Sequence, residues 1–196
     1  STLSTYKYGT PQVDKRYAIN FFSDTLRVDG KVVYLSNGEP LVYRPLEVAL
    51  SLTGSKYEKT AGARMAKYEI DRTAHDDGRL QDNDIVLFRY ADVLLMKAEA
   101  QLRSGHDGSI AMNLVRNRAG MASLPATLSN LIDERLLEFM WEGWRRNDLI
   151  RFGLFHKAYD VRRPIEGENT RFTCLFPIPK GVLQRNTNLK QNPGYK

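Results

Sequence analysis

A row of glutamates at helical spacing is the part of this sequence best suited to chemistry. Glu134, Glu138 and Glu142 lie four residues apart, so a continuous helix would carry all three on one face. Like charges at this spacing repel each other by roughly 0.2–0.5 kcal/mol per pair. A chain tolerates such a row where cations face it, or where a shared proton or a metal ion is required. Whether the row is catalytic depends on which of these three arrangements is present.

Two functional interpretations of the row involve chemistry. Paired carboxylates such as Glu138 and Glu142 could act as acid and base in the hydrolysis of a glycoside. A metal centre would add Asp148, but di-iron helical bundles also use a Glu-x-x-His pair. The three histidines lie outside the row, at His75, His106 and His156.

The third interpretation is a partly buried ion-pair network. The planar guanidinium of arginine pairs with carboxylates through two hydrogen bonds, which suits it to neutralise such a row. The arginines in question are Arg116, Arg118, Arg135, Arg145 and Arg146. We favour the network, and therefore predict a protein that is not an enzyme, with no catalytic residue, no metal ligand and no cofactor.

Composition and charge restrict the class of protein. The chain has 196 residues, of which 42% are hydrophobic and 27% charged, as in an ordinary globular protein. Its longest apolar-rich segment, Ile85 to Leu102, contains four charged residues and cannot match the about 18 apolar residues of a spanning helix. The net charge of +6 is scattered rather than arranged in a basic stripe, so we predict no nucleic-acid binding. The single cysteine, Cys174, sits in a strand-like apolar run and is predicted to be buried and inert.

The first half of the chain favours short strands and loops. Seven of the ten tyrosines lie here: Tyr6, Tyr8, Tyr17, Tyr34, Tyr43, Tyr57 and Tyr68. Alternation of Tyr17, Ile19 and Phe21 predicts a half-buried strand. Residues 32–35 and 41–43 flank an Asn37-Gly38 pair, which predicts a β-hairpin because both residues tolerate positive φ.

From Asp84 the pattern becomes helical. Asp84 can cap a helix from Ile85 to about Arg103, with Ser104-Gly105 after its end. A second helix is predicted to start at Ser109 and to stop at Ala119-Gly120. The residues expected to face inward are Leu87, Ala91, Leu94, Ala98 and Leu102 on the first helix, and Ile110, Ala111, Leu114 and Val115 on the second. Together they match the size of one tetratricopeptide-type hairpin, so partner helices must lie elsewhere in the chain or upstream of it.

Further helices follow the hairpin. Thr127 or Ser129 can cap a third helix that Gly143 ends or bends, and a short fourth helix is predicted around residues 147–151. Pro177 and Pro179 then require extended structure. The fold class is thus mainly α: a tetratricopeptide-like helical hairpin plus further helices, with a loop-rich N-terminal part containing a short β-hairpin. We divide the chain into a loop-rich region at 1–81 and a helical region at 82–196.

Several sequence blocks in a fixed order resemble one protein family. They are residues 88–100 (FRYADVLLMKAEA), 113–120 (NLVRNRAG), 134–153 (the glutamate row), 175–179 (LFPIP) and the closing residues 188–195. In this order they resemble the SusD/RagB family of outer-membrane nutrient-binding lipoproteins. The resemblance covers residues 82–196 well and residues 1–80 loosely. Family members are longer, with further helices and a lipidated N-terminal cysteine, so this chain is expected to be a C-terminal region.

The resemblance carries functional expectations. It implies a surface-exposed protein of the cell outer membrane that binds an oligosaccharide and delivers it to a SusC-like TonB-dependent transporter. Membrane association would use a lipid anchor that is not present in this chain. The alternative is a tetratricopeptide-like adaptor that binds a peptide or a protein.

The candidate ligand residues lie on the predicted hairpin. A sugar ring stacks on an aromatic face while nearby polar groups bind its hydroxyls, and tyrosine offers both an apolar plate and a polar tip. Tyr34 and Tyr43, with Asn37 and Arg44 beside them, form the best such group. Separately, Asp76-Asp77-Gly78 followed by Asp82-Asn83-Asp84 could suggest a calcium loop, but the spacing does not match an EF-hand, and turn and helix-cap chemistry accounts for it.

Overall fold

The computed structural model describes residues 14–47, 49, 51–69, 71, 73–74, 81–158 and 162–195. The chain forms two compact units, residues 1–145 and residues 146–196. The predicted division between residues 81 and 82 marks a change from strands to helices, and as a domain boundary it stays a prediction. The run Asp76-Asp77-Gly78 lies outside the described residues.

Short strands make up the first part of unit 1. After helix α1 (Lys15–Asn20) come β1 (Phe21–Phe22), β2 (Asp24–Thr25), β3 (Arg27–Val28), β4 (Lys31–Val32), β5 (Val42–Tyr43) and β6 (Arg64–Met65). They form three antiparallel two-stranded sheets, which pair β1 with β6, β2 with β5, and β3 with β4. Each strand has only two residues, so these sheets add little stability of their own.

Helix α1 corrects the predicted strand at Tyr17 to Phe21. Residues 15–20 are helical, and the strand begins only at Phe21. The Asp14 side chain caps the helix by accepting a hydrogen bond from the Arg16 backbone N–H at 2.9 Å. Apolar residues at two-residue spacing also fit one helical turn, and the cap at Asp14 decides in favour of the helix.

The predicted hairpin turn at Asn37-Gly38 is present. Tyr34 lies opposite Pro40 in an antiparallel bridge, and the Leu35 N–H donates to the Glu39 carbonyl at 2.8 Å. Within the turn Gly38 takes a positive φ of 82°, whereas Asn37 does not share this conformation. The hairpin arms are bonded to each other near the turn, where the Leu41 N–H donates to the Val33 carbonyl at 2.8 Å, whereas farther from the turn residues 31–32 and 42–43 pair with residues 24–28.

The core of unit 1 is helical. It contains α2 (Tyr90–Arg103), α3 (Ser109–Arg118) and α4 (Leu128–Glu138), and α4 packs against both of the others. The predicted ends at Gly105 and Gly120 are confirmed, since both have a φ of +80°. Thr127 is the cap of α4, because its Oγ1 accepts from the Asn130 N–H at 3.1 Å.

The predicted start of the first helix is wrong. Residues 85–89 are not helical, and Ile85 and Leu87 are 86% and 69% exposed. Asp84 is therefore not a helix cap. Arg89 holds the N-cap position in an extended conformation, with φ −146° and ψ 164°. Its guanidinium is engaged by the glutamate row, which accounts for the late start.

Helices α2 and α3 approach each other closely. Ala98 is fully buried, and a Cβ built on Gly108 would lie 2.6 Å from the Ala98 carbonyl oxygen. The expectation that alanine permits a close helix approach is thus confirmed at Ala98. The other apolar residues of the three helices that are at most 2% exposed are Leu95, Met112, Val115 and Leu131.

Part of the predicted inward face of α3 points to solvent. Ala111 and Val115 are buried, but Ile110 and Leu114 are 81% and 54% exposed. Val93 on α2 is also 51% exposed. The prediction was wrong for Ile110 and Leu114 because a hydrophobic stripe wider than the contact with α2 and α4 leaves its margin uncovered. Helix α4 is one of the partner helices that this hairpin was expected to require.

Unit 2 is small and mostly irregular. It contains α5 (Arg145–Arg151, starting at the unit boundary), two 3-10 helices (Glu168–Thr170 and Phe172–Cys174) and α6 (Lys180–Arg185). Helix α5 confirms the predicted fourth helix, and residues 176–179 lie outside helices and strands, which the prolines disfavour. Helix α6 was not predicted, and Cys174 ends a 3-10 helix, half-buried, rather than lying in a strand. Within the described ranges, every helix is too short or too polar to cross a membrane.

Candidate functional site

The glutamate row is broken by the end of α4. Glu134 and Glu138 lie on the helix, whereas Glu142 follows a turn in which Trp141 and Gly143 have positive φ values of 63° and 82°. All three carboxylates are nonetheless buried, with side-chain exposures of 0%, 1% and 2%. Buried carboxylates need partners, since an unpaired buried charge is costly.

Glu134 and Glu138 share one arginine and have others of their own. Arg16 Nη1 donates to Glu134 Oε1 at 2.7 Å and to Glu138 Oε2 at 3.0 Å. The second carboxylate oxygen of Glu134, Oε2, accepts from Arg116 Nη1 at 2.7 Å. Arg118 Nη2 donates to Glu138 Oε1 at 2.6 Å. The two carboxylates are therefore held by three arginines from α1 and α3.

Glu142 is bound by residues outside the helices that surround Glu134. Arg89 donates to it through Nε, 2.9 Å from Oε2, and through Nη2, 2.9 Å from Oε1. Arg89 Nη1 also bridges to Glu138. Lys67 Nζ pairs with Glu142 and donates to the Glu138 carbonyl. Arg89 thus joins the end of α4 to the start of α2.

The surrounding cations favour the charged form of Glu138 despite its burial. Burial raises the pKa of Glu138, but hydrogen bonding from Arg89 and the charges of Arg89, Arg118 and Arg16 outweigh it and leave that pKa below its ordinary value. Burial lowers the pKa of Lys67, against the opposing effect of Glu142. A general acid in glycoside hydrolysis needs a raised carboxyl pKa, so the environment of Glu138 favours a structural role.

The predicted ion-pair network is present, but only some of the predicted arginines belong to it, and other cations take part as well. Arg116 and Arg118 neutralise the row as predicted, whereas Arg135 pairs with Asp92 at 2.9 Å. Arg145 donates to the Ile132 carbonyl, and Arg146 donates to the carbonyls of Thr173 and Cys174. The partners that sequence reasoning missed are Arg16, Lys67 and Arg89. They are distant from the row in sequence, so spacing carries no signal for them.

No metal site accompanies the network in the described part of the chain. There, no group of three or more His, Cys, Asp and Glu side chains is arranged to hold a metal ion.

The four predicted ligand residues occupy different settings on the hairpin. Tyr34 is 61% exposed. Asn37 lies in the turn, where its side chain is hydrogen-bonded to Glu39. Tyr43 is half-buried, with Phe22 edge-to-face at 5.7 Å and the Arg64 guanidinium 4.2 Å over its ring. The Tyr34 ring is therefore accessible to a ligand, whereas the Tyr43 ring is largely covered by Phe22 and Arg64.

Arg44 lines a cavity of about 480 Å³ beside the hairpin. The other lining residues are Leu35, Glu39, Pro40, Val42, Lys56, Tyr57 and Thr60. Arg44 lies 5.5 Å and Lys56 4.7 Å from the centre of the Tyr57 ring, so two cations flank that tyrosine. Of the four predicted residues, Arg44 is the one the structure brings into this cavity. Tyr57 was missed because nothing in its local sequence separates it from the other tyrosines.

Comparison with other sequences identifies relatives. The SusD family pattern matches residues 14–195. The starch-binding protein SusD of Bacteroides thetaiotaomicron is 38% identical over 136 residues, which cover 66% of this chain and 25% of that protein. The SusD-like protein P38 of Formosa agariphila is 34% identical over 133 residues, 59% of this chain and 25% of that protein. The chain thus spans about a quarter of the length of these relatives.

Solved structures resemble the whole fold. Surface glycan-binding protein A from Bacteroides uniformis superposes with a TM-score of 0.66 at 25% identity, covering 97% of this chain and 40% of that one. A SusD-like protein from Bacteroides fragilis gives a TM-score of 0.65 at 20% identity, covering 93% and 39%, and supports the fold alone. The mainly α fold class is confirmed. With the family pattern matched from residue 14 to residue 195, the chain belongs to the SusD family.

Proposed function

We propose that this chain is part of a non-enzymatic surface protein that binds an oligosaccharide for uptake. The observation that carries the proposal is the match of residues 14–195 to the SusD family. Two relatives are named for carbohydrate binding: one for starch and one for surface glycans. Their similarity to this chain supports a glycan as the ligand class here.

The ligand surface in this proposal is the hairpin of Tyr34, Asn37, Tyr43 and Arg44. The exposed Tyr34 ring supplies a plate on which the apolar face of a sugar can stack. Arg44, at the adjoining cavity of about 480 Å³, supplies guanidinium donors for hydroxyl groups. Cavities of roughly 300–1,000 Å³ are typical of small-ligand sites.

The glutamate row supports binding rather than turnover. Glu134, Glu138 and Glu142 are each held by two or more cations, and each is at most 2% exposed. A catalytic pair must reach its substrate and exchange protons with it. In our proposal these groups connect helices and leave binding to the loops.

Delivery completes the proposal. The bound oligosaccharide passes to a SusC-like TonB-dependent transporter in the cell outer membrane, and a lipid anchor holds the protein at the surface. Helices α2 to α4 would provide a rigid base and a docking face for the transporter. Both steps rest on family membership.

A second candidate function is a tetratricopeptide-like adaptor for a peptide or protein. The observation that favours it is the exposed apolar stripe on α2 and α3, where Val93, Ile110 and Leu114 are each more than half exposed. Helical repeats commonly bind peptides on such faces.

A paired binding screen separates the two functions. Isothermal titration of the full chain against starch- and laminarin-derived oligosaccharides, and in parallel against a peptide library, should give heat of binding with a glycan. Heat of binding with a peptide and none with any of the glycans would overturn the proposal in favour of the adaptor.

A further inference from the structure

A second cavity, of about 580 Å³, lies beyond the C-terminal end of α4. Its walls come from the extended run that precedes α2 and from the turn that follows α4. The residues that matter here are Tyr68, Gln81, Asn83, Asp84, Trp141 and Glu142. The cavity of the hairpin shares none of them. It is therefore a separate place on unit 1.

Two aromatic rings line this cavity and remain accessible. Trp141 is 39% exposed and Tyr68 is 37% exposed. Phe21 contacts the Trp141 ring edge-to-face, with centroids 5.0 Å apart and an interplanar angle of 61°. Because Phe21 is itself 5% exposed, the core anchors the indole. An anchored ring loses little conformational entropy when a ligand stacks on it.

The backbone of Trp141 is strained. Its φ of +63° lies in the left-handed region, which a bulky side chain seldom adopts. Such a conformation costs of the order of 1–3 kcal/mol and is concentrated at functional sites. On either side of the turn, Glu138 and Glu142 are fixed by their ion pairs with Arg89. The helix therefore does not continue through residue 141, and the indole lines the cavity.

The polar lining can bind hydroxyl groups. Asp84 does not cap a helix, and its carboxylate makes no hydrogen bond within the described residues. Asn83 is held by donating its amide N–H to the Glu69 carbonyl at 2.7 Å, which leaves its amide oxygen as an acceptor. Gln81 adds both a donor and an acceptor. Glu142 is already bound by Arg89 and Lys67, so it forms the floor and not a ligand contact.

We propose that this cavity is a second sugar-binding position, with Trp141 and Tyr68 as stacking surfaces and Asp84, Asn83 and Gln81 as hydroxyl partners. Of the lining residues that the structure describes, two are carboxylates and none is an arginine or a lysine, which disfavours an anionic ligand. A purely apolar ligand would leave the polar groups without partners. A neutral sugar meets both conditions, since it has apolar ring faces and a rim of hydroxyls. The inference rests on the proposed glycan-binding function and adds a position that the hairpin does not provide.

The two tryptophans of the chain permit a direct test. In a Trp144→Phe variant, Trp141 is the sole tryptophan and reports on the cavity; in Trp141→Phe, Trp144 reports from a position outside it. Maltoheptaose and laminarihexaose serve as the probes, with affinity measured independently by calorimetry. We expect the emission of Trp141 to change on addition of the bound sugar, and that of Trp144 to stay constant.

Substitutions of exposed polar residues supply the second readout. Asp84→Ala should weaken sugar binding about tenfold, as expected for one lost hydrogen bond to a charged group. Asp82→Ala is the matched control, because Asp82 is exposed and does not line the cavity. Both variants should keep the melting temperature of the parent chain. They are used instead of Trp141→Ala, because that substitution removes the contact with Phe21 and would destabilise the fold.

The outcomes separate the inference from the function on which it rests. Sugar binding with unchanged Trp141 emission, and with unchanged affinity in Asp84→Ala, would overturn the second site and leave the glycan-binding proposal intact. Failure of the parent chain to bind either probe in calorimetry would count against both.

Discussion

Arg16 Nη1 lies 2.7 Å from Glu134 Oε1, although 118 residues separate the two in the chain. Their side chains are 7% and 0% exposed. The same guanidinium binds Asp14 and Glu138. Burial lowers the pKa of Arg16, but the hydrogen bond with Asp14 and the charges of Glu134 and Asp14 raise it above its ordinary value. One arginine therefore fastens α1 to α4.

Loss of this arginine should destabilise the protein. We expect Arg16→Ala to lower the free energy of unfolding by about 3–5 kcal/mol, because it removes the cation paired with buried Asp14 and one of the cations paired with Glu134 and with Glu138. Urea denaturation followed by circular dichroism measures the change. Arg118→Ala is the control: its side chain is 61% exposed, so loss of its pair with Glu138 should cost at most about 1 kcal/mol. Equal effects of the two substitutions would contradict the role assigned to Arg16.

The network should make stability fall in acid. The pKa of Glu138 is lower in the folded chain than its ordinary value of 4.5, so the unfolded chain takes up the proton first as the pH falls. The stabilisation is complete above about pH 4.5 and is lost as the pH falls through the folded pKa. Melting temperatures measured from about pH 7 to about pH 3 should decline in acid, and less steeply in Glu138→Gln. Glu166→Gln, at an exposed residue, should retain the parent profile.

The close approach of α2 and α3 should not tolerate a methyl group at Gly108. A Cβ there would lie 2.6 Å from the Ala98 carbonyl oxygen, so Gly108→Ala must push the helices apart. We expect a loss of about 1–3 kcal/mol in the free energy of unfolding, as for other overpacked sites. Gly181→Ala, in α6 with open space around it, makes the same chemical change and should be neutral or stabilising. A harmless Gly108→Ala would show that the helices are less tightly apposed.

The hairpin tyrosines should respond differently to truncation. Tyr34→Ala removes a ring that is 61% exposed, so it should weaken glycan binding and leave the melting temperature unchanged. Tyr43→Ala also removes the contacts with Phe22 and Arg64, and should lower the melting temperature by a few degrees. Calorimetric titration beside thermal melts distinguishes the effects. Undiminished binding in Tyr34→Ala would remove this residue from the ligand surface.

Neutralising the glutamate row should affect stability rather than catalysis. Glu138→Gln and Glu142→Gln leave Arg89 with fewer anionic partners, so both should lower the free energy of unfolding by more than about 1 kcal/mol. Incubation of the parent chain with starch- and laminarin-derived oligosaccharides, followed by chromatography of the products, should show no cleavage. Cleavage that disappears in either variant would restore the glycosidase hypothesis.

Local sequence patterns were sufficient for several elements. Thr127 and the glycines at 105 and 120 mark helix ends through capping and backbone preferences that act over a few residues, and Ser109 is the first residue of α3 as predicted. The Asn37-Gly38 turn is recognisable for the same reason. The order of the family blocks was equally visible, because it depends on the chain alone.

Other features were beyond such patterns. The helix predicted from Ile85 begins at Tyr90, because Arg89 is drawn into an extended conformation by Glu138 and Glu142 about fifty residues later. The alternation at Tyr17 was read as a strand, although residues 15–20 are helical. In the first case the deciding partners are distant in sequence. In the second, the periodic signal is too short to distinguish a strand from a helix.

By itself, the sequence determined the mainly α class, several helix ends, and the family whose pattern spans residues 14–195. It also favoured cations opposite the row of glutamates, since like charges at helical spacing repel each other. Only the tertiary structure decided which cations these are. Arg16, Lys67 and Arg89 come from segments that folding alone brings to the row, because ion pairs depend on distance in space and not on separation along the chain.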